Sequence, residues 1–247
     1  MTQRVLILGG TAEGRGLAQA LGHQPGIEPI YSLAGRTSSP ALPDCAVRAG
    51  GFGGAGGLRD YVEEERIAAV INAAHPFATQ IARHCHEACA SAGVPALRLE
   101  RASWQPQSGD NWIEVANLAA APAQFPALAG RVFLSTGLKD LEAFAAIDVW
   151  FLVRTIEETT HPLPLARHDL VRERGPFTVE HETALFKKHG IGAVVTKNSG
   201  GTATEAKLTA ARQLGLPVVM VARPAPASEP TADNVEAAID WLEQHLQ

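Results

Sequence analysis

Apolar residues come in short runs along this chain, and glycine-rich or polar stretches follow them. Residues 5–8, 67–74 and 193–195 are nearly unbroken apolar runs. Runs of that length suit strands covered on both faces, as in a parallel sheet. Residues 29–34, 46–49, 93–99, 131–135, 149–154, 170–173 and 216–221 read as further strands. Between them lie segments with helical spacing: 13–21, 58–65, 79–92, a stretch from Lys139, 180–189, 203–214 and 234–246. This alternation predicts an α/β fold with mostly parallel sheets.

The rhythm breaks at residues 102–112, where Trp104, Pro106, Gly109 and Asp110 cluster, and then restarts. Two Rossmann-like domains follow from this, over 1–101 and 102–247, with a cleft between them. The halves echo one another. Gly93-Val94-Pro95 leads through a strand to Arg101, and Gly215-Leu216-Pro217 leads through a strand to Arg223. Residues 155–168 read as a linker or a flap over a site. An internal duplication leaves the oligomeric state open, with a monomer sufficient.

Composition narrows the class. The net charge of −5 argues against nucleic acid and leaves room for an anionic small molecule in a local basic cleft. No apolar run is long enough to span a bilayer, and a strand begins by residue 4, which argues against a signal peptide. Cys45, Cys85 and Cys89 are too few for a disulfide framework, so a cytoplasmic location is expected. Cys85, His86 and Cys89 have no second ligand cluster to join, and no metal site is expected.

The candidate chemistry sits where strands end. Gly9-Gly10-Thr11-Ala12-Glu13-Gly14 follows the first strand and opens a helix. That is the form of a phosphate-binding turn, where backbone N–H groups and the helix N-terminus meet an anion. Thr11 occupies the place of the middle glycine and is read as a phosphate donor. Gly35-Arg36-Thr37 follows the second strand, where a dinucleotide places its ribose. An arginine there favours a 2′-phosphate, hence NADP(H). Gly53 belongs to a glycine run at 50–57 that suits close backbone approach. His75-Pro76 ends the fourth strand, at the edge where open α/β sheets hold ligands. Lys197-Asn198-Ser199-Gly200-Gly201 repeats the opening design in the second half.

These motifs occur in the order seen in precorrin-6A reductases. Ile7-Leu8-Gly9-Gly10-Thr11-Ala12-Glu13-Gly14, Ala34-Gly35-Arg36-Thr37, His75-Pro76-Phe77-Ala78, Leu97-Arg98-Leu99-Glu100-Arg101 and Thr196-Lys197-Asn198-Ser199-Gly200-Gly201 carry the resemblance, which spans almost the whole chain. One local departure is Asn72-Ala73-Ala74, where the family is associated with an Asp-Ala-Thr type of sequence. The resemblance implies NADPH-dependent reduction of one double bond of the tetrapyrrole precorrin-6A, giving precorrin-6B in cobalamin biosynthesis. It implies NADPH as cofactor, held by Gly9, Gly10, Thr11, Ala12, Glu13, Gly35, Arg36, Thr37, Gly53, His75 and Pro76. Arg101, Lys197, Asn198, Ser199, Gly200, Gly201 and Arg223 become candidates for the substrate's carboxylates, with Arg98 beside them. His75 and Lys197 become the candidate catalytic residues, supplying or stabilising a proton. Alternatives are an NADP(H)-binding sensor without catalysis and a cobalt-precorrin-6A reductase. A short-chain dehydrogenase would need a tyrosine with a lysine four residues on; Tyr61 is followed at that spacing by Glu65.

Overall fold

A computed structural model describes residues 2–35, 40–127, 130–156, 158–159, 161–225 and 229–246, with the side chains of 125–127 excepted. The chain forms two compact units. The first comprises 1–102 together with 224–247, and the second comprises 103–223.

The first unit is a six-stranded, fully parallel sheet. Its strands are β1 (Gln3–Leu8), β2 (Ile27–Leu33), β3 (Ala46–Ala49), β4 (Ile67–Asn72) and β5 (Ala96–Leu99), with a short sixth strand (Thr231–Ala232) from the C-terminal segment. Its spatial order, from that sixth strand, is sixth-β5-β4-β1-β2-β3. That is the doubly wound dinucleotide-binding order, with its topological switch between β1 and β4. The period of two along β1 explains why both faces are covered. Val5 and Ile7 pack with Leu17, Ala18 and Leu21 of α1 (Ala12–Leu21) and with Ala238 and Leu242 of the C-terminal helix (Val235–His245). Leu6 and Leu8 pack with Leu58 and Val62 of α2 (Ala55–Glu64) and Cys85, Ala88 and Cys89 of α3 (Thr79–Ala92).

The second unit is again six-stranded and parallel. It contains β6 (Trp112–Val115), β7 (Arg131–Leu134), β8 (Trp150–Thr155), β9 (Arg167–Arg172), β10 (Ala193–Lys197) and β11 (Val218–Val221), in the order β6-β11-β10-β7-β8-β9. The sheet has the first unit's winding, except that its sixth position is filled by a strand that precedes the others in sequence. On one face, α4 (Val179–His189) and α5 (Ala206–Gln213) cover Phe133, Leu152, Val194 and Met220. Elsewhere, 3-10 segments lie at Leu118–Ala127, for which the sequence predicts no element, and at Leu141–Phe144, where it predicts a helix. Pro122 lies inside the first of these, and a proline removes an α-helical donor.

Several sequence expectations change. The sequence places residues 224–247 in the second domain. In the structure they add the sixth strand beside β5 and pack a helix against α1. The segment follows the second domain in sequence, but its apolar face packs on the first sheet. The break at 102–112 is partly structured: Trp104 is buried in the second unit's core, and β6 begins at Trp112. The helix expected from Lys139 is the short 3-10 turn. The ninth strand begins at Arg167, within the predicted loop.

Candidate functional site

The glycine turn after β1 is built for close approach. Gly9 lies against the ring of Tyr31 on β2; a Cβ there would sit 2.3 Å from the ring's Cε2 and Cζ. The Tyr31 hydroxyl accepts the Gly10 N–H at 3.1 Å, and Gly10 has φ +121°, which favours glycine. Burial pushes the Tyr31 phenol up, and its bond from Gly10 acts in the opposite direction. Gly14 allows α1 to touch the sheet, since a Cβ there would sit 2.8 Å from the Ala73 Cβ. That is the packing role of the last glycine in the fingerprint.

Thr11 has a different task from the one the sequence suggested. Its hydroxyl donates to the Ala73 carbonyl at 2.8 Å and accepts the Gly14 N–H at 3.1 Å, capping α1. The proton assigned to a phosphate is thus committed to the neighbouring strand end across the switch point. The Gly9 amide also has an internal acceptor, the Ser32 carbonyl at 2.8 Å. The amides of Ala12 and Glu13 lie in the helix's first turn, where no intrahelical acceptor exists, and they remain the donors suited to an anion. The Glu13 carboxylate accepts from Arg101 Nη1 at 2.8 Å. Arg101, expected on the substrate, therefore joins the end of β5 to the α1 N-terminus and neutralises an acid that would repel a phosphate.

Gly35, with φ +71°, follows β2, and a Cβ there would lie 3.7 Å from the Gly50 nitrogen. The second strand's exit and the glycine run holding Gly53 are thereby neighbours. Arg36 and Thr37 lie outside the described residues. Arg48, which the sequence reading missed, organises this corner. Its guanidinium donates to the Gly50 and Gly51 carbonyls at 2.7 and 2.8 Å and lies 3.6 Å over the Phe52 ring. An arginine closing a strand just before a glycine run was the available signal.

His75 is half-buried. Its Nδ1 accepts the Phe77 N–H at 3.2 Å, which places the neutral ring's proton on Nε2. Pro76 is buried and borders a hollow of about 370 Å³ that Thr79, Arg83, His86, Arg98 and Glu229 also line. Arg98 is 6% exposed and does not present itself to solvent. It donates from Nε and Nη2 to Glu100 Oε2 at 2.9 and 2.6 Å. Burial pushes the Glu229 carboxyl up, while Arg98, His86, Cys85 and Asn72 pull it down. The first unit thus holds its own acids around this arginine.

In the second unit the Lys197–Gly201 loop is strongly braced. Asn198 clamps the Trp104 backbone twice: its Oδ1 accepts the Trp104 N–H at 2.8 Å, and its Nδ2 donates to the Trp104 carbonyl at 3.0 Å. Trp104 Nε1 donates to the Gly201 carbonyl at 3.0 Å. Arg223 donates to the carbonyls of Asn198 and Ser199 at 2.8 and 3.0 Å. The Ser199 hydroxyl donates to the Lys197 carbonyl at 3.3 Å. Gly200 and Gly201 have φ of +65° and +77°, the turn that glycine permits. The side chains of Asn198 and Arg223, expected on the substrate, therefore shape the loop. Lys197 Nζ meets Asp140 Oδ2 at 2.6 Å.

His75 and Arg101 belong to the first unit, and Lys197 to Arg223 to the second. Among the described residues, no group of three or more His, Cys, Asp or Glu could hold a metal ion. No described helix is long and apolar enough to cross a membrane.

Comparison with known proteins agrees with this fold. Residues 4–243 match the family model described as precorrin-6x reductase CbiJ/CobK. The chain belongs to this family. A precorrin-6A reductase from Rhodococcus erythropolis is 47% identical over 97% of both chains. A precorrin-6A reductase from Mycobacterium tuberculosis strain H37Rv is 48% identical, again over 97% of each. Among solved structures, CobK precorrin-6A reductase superposes with a TM-score of 0.93 at 44% identity, covering 99% of this chain and 97% of the other. The two-sheet architecture of this CbiJ/CobK member is therefore that of a known reductase.

Proposed function

We propose that this chain reduces one double bond of precorrin-6A to give precorrin-6B in cobalamin biosynthesis, with NADPH as the reductant. The chain is an oxidoreductase of the precorrin-6x reductase family and acts on a tetrapyrrole precursor. The observation that carries the reading is near-half identity, over almost the full length, to proteins of that name. Those relatives support the metal-free tetrapyrrole as substrate over the cobalt-containing one.

The first unit's turn fits a dinucleotide phosphate. A Cβ at Gly9 or Gly14 would close the turn onto Tyr31 or Ala73, so both positions keep the backbone open to close approach. The first-turn amides of Ala12 and Glu13 would hold the pyrophosphate, and Gly35, Arg36, Thr37 and Gly53 the adenosine end with its 2′-phosphate. His75 and Pro76 would border the nicotinamide end, at the exit of β4. NADPH supplies the hydride when bound. His75 Nε2–H and the Lys197 ammonium are the groups suited to supply or stabilise the proton that the product also gains. Lys197, with the backbone of Ser199, Gly200 and Gly201, would meet substrate carboxylates. The three unpaired thiols support a cytoplasmic location, and the acidic chain supports a small-molecule partner over nucleic acid.

The test is precorrin-6A-dependent oxidation of NADPH followed by absorbance, alongside calorimetric titration of each coenzyme. NADPH should outperform NADH in kcat/KM, and Arg36→Ala should erase most of that preference, roughly tenfold or more for one lost charge-assisted contact. Coenzyme binding without turnover would replace this reading with a sensor.

A further inference from the structure

The switch point of the second sheet lies between β7 and β10, which are adjacent and parallel. Ligands of open α/β sheets bind outside the strand ends at such a point. Two charged side chains meet there from its two sides. Lys197 closes β10, and Asp140 follows β7 after the Thr136-Gly137 turn; their Nζ and Oδ2 atoms are 2.6 Å apart. The lysine side chain is 16% exposed and the aspartate 44%. The surrounding loop is held by other means, through the Asn198–Trp104 clamp and the Arg223 bonds. The ion pair is therefore not what fixes the loop's backbone.

We infer that Asp140 is a resident counter-ion that competes with a substrate carboxylate for Lys197 and so limits how tightly the anionic substrate is held. This rests on the assignment of Lys197 to substrate binding. An ion pair with one partner this exposed contributes little to stability and opens easily. A carboxylate arriving at Lys197 must displace Asp140 or share the ammonium with it, and sharing places two like charges together. Either route subtracts from affinity for an anion. Asp140 acts through Lys197, as a specificity-determining residue and not as a catalytic one. For an enzyme that must release a product bearing the same carboxylates as its substrate, such a competitor also favours turnover.

The test compares wild type, Asp140→Asn, Lys197→Gln and the double variant. NADPH is saturating, precorrin-6A is varied, and salt is low or high. Asp140→Asn should lower the KM for precorrin-6A by roughly three- to tenfold at low salt, with a smaller gain at high salt. Lys197→Gln should raise KM, and Asp140→Asn should add no gain in that background. A raised KM in Asp140→Asn overturns the inference, as does a gain that survives in the double variant. An unchanged KM in Lys197→Gln rejects the assignment of Lys197 itself. Thermal melts of all four proteins separate these results from a folding loss.

Discussion

Gly9→Ala should weaken NADPH binding at least tenfold and destabilise the first unit. The added methyl would lie 2.3 Å from the Tyr31 ring, which is itself 2% exposed and packed between strands and helices. The ring cannot swing away without opening the core, and overpacking of this kind costs about 1–3 kcal/mol. Moving the ring also removes the acceptor of the Gly10 N–H, at a further cost of about 1 kcal/mol. The turn would shift just where the proposed function has the first amides of α1 face a phosphate. Adding Tyr31→Leu to Gly9→Ala removes the atoms that clash, so the double variant should be more stable than the Gly9→Ala single variant. Urea unfolding and fluorescence titration of NADPH check both statements. Unchanged stability and affinity in Gly9→Ala would mean the turn has slack that its close contacts deny.

Glu182→Ala should be the most damaging single change in the second unit. Glu182 is fully buried on α4 and accepts from Arg154 Nη1 at 2.7 Å. Arg154 is buried too, with its guanidinium 3.9 Å from the Phe177 ring and 4.8 Å from that of Phe133. Glu173 lies 3.2 Å from its Nη2 and is only partly buried. Removing Glu182 leaves an arginine inside the core with one weaker counter-ion. Breaking a buried pair in this way costs about 3–5 kcal/mol. Replacing both members, as Arg154→Met with Glu182→Leu, should recover most of the loss, because no charge is then stranded. Tryptophan fluorescence during urea unfolding suits the measurement, since Trp104, Trp112 and Trp150 all lie in this unit.

The parallel strands were legible because the short apolar runs at 5–8, 67–74 and 193–195 are each followed closely by glycine, proline or polar turn residues, the setting of a doubly covered strand. The glycine turn was legible because strand, glycines and helix follow without a gap. The sixth strand was not: Thr231-Ala232 is two residues long, and its place beside β5 depends on the chain returning after the second unit. The 3-10 turn at Leu141–Phe144 reads as an α-helix in sequence because short apolar stretches do not distinguish the two, and no element is read at Leu118–Ala127. At the site, residue types were read more readily than their partners. Arg101, Asn198 and Arg223 are polar side chains at strand ends, and sequence alone directs them all toward a ligand. The structure gives each of them to its own unit: to Glu13, to the Trp104 backbone, and to two carbonyls of the glycine loop. Thr11 follows the same pattern, capping α1 and binding Ala73. The proposed function therefore draws mostly on backbone amides, together with the Lys197 and His75 side chains. That division explains why the motif order identifies the family while the task of each side chain needs coordinates.

The most direct measurement of the central claim is a mass-spectrometric isotope transfer. The protein is incubated anaerobically with precorrin-6A and NADPH carrying deuterium at both C4 positions of the nicotinamide ring. NADPH-dependent reduction of one double bond predicts a product heavier than the substrate by one deuterium and one hydrogen, with NADP⁺ formed in equal amount. A product without deuterium, or precorrin-6A recovered unchanged while the coenzyme is bound, would contradict the account.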